Sequence, residues 1–314
     1  SKVKVIDSTS KKVIKTISLV EVKNWKKILF MAHNVQVSPN GKSVWVTANV
    51  MRDEKNKKVE KNKIFDQVIV IDPLTDKIIK RIPIDYDTHL AHIVVSSKND
   101  KAYVALQEKW ELYIINTLTY NIEEKISLWI WSWPHGLRLS NDDSRIFIAL
   151  LDWKWFLIFD IVSKKLEKIW LDSWVVQTAV TKNWKYAFAT LYSSKQILVY
   201  DIETSKTNLI DLPKESKWPV QIYATPDSKY LYIADQGYYF DKEKNNLVYR
   251  LNIDDLTIDS YIEVWLAPHW IVVDNNWKYS YVTNLLSDDI SIIDISLWKE
   301  IWKSWRKYCW IFFK

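Results

Sequence analysis

The chain of 314 residues is poor in glycine, methionine and cysteine, with 3, 2 and 1 of each. A lone cysteine, Cys309, excludes an internal disulfide. No stretch reaches the roughly 18 apolar residues that a membrane helix needs, so the sequence holds no helical span. There is no block of one charge sign either. The net charge of +6 comes from Lys scattered through turns, whereas a nucleic-acid partner would call for basic residues clustered on one face. Nucleic acid is therefore excluded as a partner. Gly-rich phosphate loops, Gly-x-Ser-x-Gly elbows and His-Glu-x-x-His zinc motifs are all missing. What remains is a chain with 48% hydrophobic residues, ample for a core. It opens at Ser1, without Met, directly in a strand pattern, and the expectation is that an upstream signal segment has been removed and the protein exported.

The glycine shortage has a counterpart. Average usage of about 7% would place roughly 22 glycines here, yet there are 3 glycines and 19 tryptophans. The tryptophans stand where glycine belongs. Asn183-Trp184-Lys185 and Asn276-Trp277-Lys278 align with Asn40-Gly41-Lys42, an Asn-Gly turn whose second residue needs positive φ. Trp270 follows Pro268-His269 as Gly136 follows Pro134-His135. Only Trp45, alternating within Ser43-Val44-Trp45-Val46-Thr47, reads as a true strand aromatic. The other 18 are expected to be glycines specified by UGA codons.

One cycle of strands and turns recurs along the whole chain, with the period of about 40–50 residues that marks a propeller. The first strand and its turn run over 34–40, 93–99, 136–142, 177–183, 221–227 and 270–276. The second strand follows as Val44-Trp45-Val46, Ala102-Tyr103-Val104, Ile146-Phe147-Ile148, Ala187-Phe188-Ala189, Leu231-Tyr232-Ile233 and Ser280-Tyr281-Val282, alternating with period two. The third ends at Asp7, Asp72, Asn116, Asp160, Asp201, Asp254 and Asp294. A Ser or Thr stands three residues later in every repeat but the last, where Leu297 does, which predicts an Asx-type turn. Seven third strands predict an all-β, seven-bladed propeller of four-stranded antiparallel blades forming a single domain over 1–314. Blade 7 is expected from 1–27 plus 303–314, closed by N- and C-terminal strands, and blades 1 to 6 from 28–302. Its missing second strand is expected upstream of Ser1.

The residues Tyr281-Val282-Thr283-Asn284, and the unit Ser38-Pro39-Asn40-Gly41-Lys42 before Val44-Trp45-Val46-Thr47, resemble the YVTN-repeat family of propellers. That resemblance implies a surface-layer or exported protein, in the periplasm or on the cell surface. The chain is also distantly like the haem domain of nitrite reductases, the copper domain of nitrous oxide reductase and lactonases, which are related seven-bladed propellers, but a shared fold transfers none of their activities.

In an up-and-down blade the second-to-third and fourth-to-first connections share one face. Both long insertions are second-to-third loops. One is Val50-to-Gln67, dense in Lys and Glu, and the other is Gln236-to-Asn246, carrying Tyr238, Tyr239 and Phe240. Counting five residues back from Ser38, Ser97, Ser140 and Asp274 reaches His33, His92, His135 and His269, at the start of the innermost strand. The same slot holds Val176, Val220 and, in the terminal repeat, Cys309. His89 stands beside this set. Imidazole and thiolate are the usual ligands of zinc and copper, so these four histidines and Cys309 form a candidate metal site. The leading functional reading is a cell-envelope or exported binding or scaffold propeller that uses the face with the long loops and the histidine arc for a protein, glycan or small molecule, with enzymatic activity left open. A metal- or haem-linked redox protein is the alternative. A lactonase-like hydrolase, hinted at by Arg138 beside His135, comes third.

Overall fold

The computed structural model describes residues 1–52, 64–129, 131–151, 153–237, 243–274, 276–305 and 311–313. The described chain is almost wholly β. Six sheets each contain four antiparallel strands in sequential order, spanning Phe30–Asp85, Leu90–Ser127, Pro134–Trp170, Val175–Asp211, Pro219–Glu263 and Pro268–Trp305. These are blades 1 to 6. The one helical element among the described residues is a 3₁₀ turn at Gln107–Lys109, and no helix there is long and apolar enough to cross a membrane.

The expected seventh blade of four strands is not formed: the propeller has six blades. The terminal strands make a sheet of three, in which Lys2–Ile6 pairs antiparallel with Val13–Ser18 and parallel with Ile311–Phe313. Lys4 faces Ile311 and Ile6 faces Phe313. A C-terminal strand running parallel beside the N-terminal one cannot serve as the first strand of an antiparallel four-stranded blade. The chain, expected as a single domain, divides into two compact units, Ser1–His135 with Cys309–Lys314 and Gly136–Tyr308.

Each unit is held by apolar layers between successive sheets. In the first, Trp45, Val68 and Val70 of blade 1 pack on Leu90, Ile93, Val104, Tyr113 and Ile115 of blade 2. Val3, Val5, Ile17 and Leu19 of the terminal sheet meet Phe30, Val44, Val46 and Ile69 of blade 1. In the second, Phe147 and Phe156 meet Ala187, Leu198 and Tyr200, and the pattern repeats between later blades. Each middle strand lies between neighbouring sheets and is apolar on both faces, so it reads as a continuous buried run. At roughly 1.5–3 kcal/mol for each large side chain buried, the layers outweigh any single polar contact. Trp45, 1% exposed, is a true core aromatic, with its indole N–H donating to Ser43 Oγ.

The third-to-fourth turns are Asx turns. Ser163 N and Thr204 N donate to Asp160 and Asp201, holding both carboxyls below the usual range. At Asp294 the N–H of Leu297 donates just as a Ser or Thr backbone would, so the last repeat needs no hydroxyl there. In blade 5 the strand ends at Asn252, not Asp254, and Asn252 Oδ1 accepts the N–H of Asp254.

Candidate histidine metal site

The innermost strands begin with an irregularity. In blade 1, Ala32 pairs with Ala48 and Asn34 with Thr47, leaving His33 as the extra residue of a bulge. His269 in blade 6 and Val220 in blade 5 are extra in the same way. A bulge re-aims one side chain without ending the sheet. Blade 2 departs from the expected register. Its turn is closed by Ser96 N donating to Lys101 O, matching Ser38 N to Ser43 O and Ser140 N to Arg145 O. Five residues back from Ser96 lies Ala91, so His92 stands one residue past the slot that His33 occupies.

Even so, three of the expected ligands converge within the first unit. The ring nitrogens of His33, His92 and His135 that could bind an ion all lie within 4.8 Å of one another. Ring centroids are 5.9 Å apart for His33 and His92, 5.3 Å for His33 and His135, and 5.0 Å for His92 and His135. His92 is buried, and the other two are half-buried. Tetrahedral zinc with bonds of about 2.0–2.1 Å places its donors roughly 3.3 Å apart. Reaching that spacing requires the nitrogens to close by up to roughly 1.5 Å. His89 adjoins them, with its ring 5.2 Å from that of His33.

Buried polar side chains fix the backbone on which these rings stand. Thr47 Oγ1 accepts Asn34 N at 2.9 Å and donates to Ala91 O at 2.8 Å, tying blade 1 to blade 2 beside His33 and His92. Asn49 exchanges two hydrogen bonds with the backbone of Leu90. Asp66, wholly buried, accepts from Val50 N, from Arg52, and from both the N–H and the hydroxyl of Thr88. His89 is thus clamped between Thr88 and Leu90 at φ +44, a left-handed backbone that costs a bulky residue energy. Burial lowers its pKa, against the raising influence of Glu108, Asp66 and Asp87. The supports Asp66, Thr47 and Asn49 escape sequence reasoning. An acidic residue opening the apolar run Val68-Ile69-Val70 was the available signal.

The remaining candidates divide. Cys309 lies outside the described residues, as do 53–63 of the first insertion and Tyr238, Tyr239 and Phe240 of the second. His269 belongs to the second unit, where its Nδ1 sits 2.6 Å from Gln236 Oε1 and burial lowers its pKa to about 4. Arg138 donates to Leu137 O, and burial lowers its pKa to about 10; among the described residues it has no carboxylate partner.

By its blades the chain is a β-propeller. It is similar in structure to hydrazine synthase of Kuenenia stuttgartiensis, with a TM-score of 0.68 and 18% identity, covering 92% of this chain and 88% of that one. It is also similar to the dihydro-heme d1 dehydrogenase NirN in complex with DHE, with a TM-score of 0.65 and 10% identity. There the match covers 95% of this chain and 60% of the other. Identities this low speak for the fold alone. No protein-family model and no curated protein matches the sequence.

Proposed function

We propose that this propeller binds one zinc or copper ion through His33, His92 and His135. The observation that carries the reading is the mutual approach of their ring nitrogens to within 4.8 Å. Three neutral imidazoles leave the fourth tetrahedral position to an outside ligand, the arrangement of sites that act on a bound molecule rather than of closed structural ones. With no carboxylate or thiolate in the described cluster, the ion keeps its full positive charge, which favours an anionic ligand there. The test is metal analysis of purified protein after dialysis against zinc or copper. One equivalent per chain supports the reading; no metal retained above trace rejects it.

A second reading, a haem-linked redox protein, draws on the likeness to a dihydro-heme d1 dehydrogenase. In it one histidine of the cluster would ligate a haem iron. Titration with haem decides it, since ligation shifts the absorption spectrum and His135→Ala or His33→Ala would abolish that shift.

A further inference from the structure

We propose that glycine, not tryptophan, occupies eight positions of the protein made in its own cell. They are Trp25, Trp110, Trp131, Trp133, Trp184, Trp270, Trp277 and Trp298, each specified by a UGA codon that this cell decodes with a glycine-charged tRNA.

Of the 21 described non-glycine residues with positive φ, seven are tryptophan. Among the non-glycine residues with φ in the left-handed region, Trp25 (63°), Trp110 (57°), Trp131 (66°), Trp133 (39°), Trp184 (68°), Trp277 (58°) and Trp298 (46°) stand together. That region suits glycine, tolerates Asn and Asp, and strains a bulky side chain. Repeat geometry shows that the conformation belongs to the slot and not to the residue. In the first-to-second turns of five blades the fourth residue donates its N–H to the carbonyl three back, from Gly41, Asp143, Trp184, Ser228 and Trp277. Their φ values are 69°, 57°, 68°, 60° and 58°. Glycine, aspartate and serine fit a tight turn. Trp277 in such a turn is 46% exposed, and Trp25, in a separate turn after Lys23, is 100% exposed.

The eighth position rests on a different observation. Trp270 occupies in blade 6 the place of Gly136 in blade 3, each following Pro-His. A Cβ on Gly136 would run into Gln177, coming within 2.9 Å of its Cα. In blade 3 that place leaves no room for a side chain, whereas blades 1, 4 and 5 hold Asn34, Gln177 and Gln221 there; what Trp270 shares with Gly136 is the preceding Pro-His. One reading error converts all eight at once, because UGA differs by a single base from UGG for tryptophan and from GGA for glycine. Trp45 is the internal contrast, being buried, in an extended strand and filling the layer between blades 1 and 2. The assignment also bears on the histidine site, since Trp131 and Trp133 lie on the segment leading into His135.

The experiment is peptide sequencing by mass spectrometry of the protein isolated from its own cells, read beside the codons of its gene. UGA codons and glycine at the eight positions, with UGG and tryptophan at Trp45, are expected. UGG codons or tryptophan-containing peptides at the eight would overturn the proposal, and so would glycine at Trp45. Recombinant protein gives an independent arm: Trp184→Gly and Trp277→Gly should each raise Tm by roughly 2 °C. A lowered Tm for both counts against the turn argument.

Discussion

His33 and His269 are the extra residues of the same bulge in blades 1 and 6, but they meet different company. In the first unit His33 faces His92, His135 and His89. In the second, His269 meets the side-chain amide of Gln236, and the equivalent slot in blade 5 holds Val220. The slot supplies the orientation and neighbouring strands supply the chemistry. A histidine repeated at one register therefore faces other imidazoles in one place and a side-chain amide in another.

The largest expected effect separates the two. His92→Ala should reduce bound metal from one equivalent to below a tenth, an affinity loss of about 100-fold or more, whereas His269→Ala should leave the stoichiometry unchanged. Metal analysis of the two variants checks this, and equal loss in both would erase the distinction. Next comes the scaffold. Asp66→Ala removes Arg52's 2.9 Å partner, leaving only the half-exposed Asp87 at 3.7 Å, and frees the backbone N–H groups of Val50 and Thr88; it should cost about 3 kcal/mol in urea unfolding. Asp235→Ala in the second unit removes bonds to Ser216, Lys217 and Trp218 but strands no cation. Its cost should be smaller, about 1–3 kcal/mol, and it should spare metal binding.

A further effect is a pH dependence. His269 has a folded pKa of about 4, below its ordinary value of 6.5. Above pH 6.5 it is neutral whether folded or not. Between 6.5 and 4 the unfolded chain takes up a proton that the folded one refuses, so stability falls with pH through that window. His269→Leu should lose less Tm between pH 7 and 4.5 than the parent chain. An identical drop in both would mean that the second unit's histidine is not held neutral by burial.

Much of the architecture was legible because each blade repeats its own pattern. Alternation located the middle strands, and Asp160 and Asp201 marked their turns. Blade number was not legible, since a short apolar segment such as Ile311–Phe313 carries no sign of whether it will pair parallel or antiparallel. At the site, His33, His92 and His135 could be named from residue type and position. The offset of His92 could not, because Ser96-Ser97 offers two equivalent hydroxyls and only the bond from Ser96 N to Lys101 O chooses between them. Asp66 was hidden for a similar reason: its partners Val50, Arg52 and Thr88 are brought to it by folding, not by sequence proximity.

The parallel pairing of Lys4 with Ile311 sets a clock on biosynthesis. About 300 residues separate the partners, and at roughly 5–20 residues per second a ribosome needs on the order of 15–60 s to make them. Throughout that interval the strand Lys2–Ile6 presents one unpaired edge, of the kind that recruits foreign strands. The nascent chain thus spends most of its synthesis as an open sheet edge, and a chaperone shielding this hairpin would act before the seam can form.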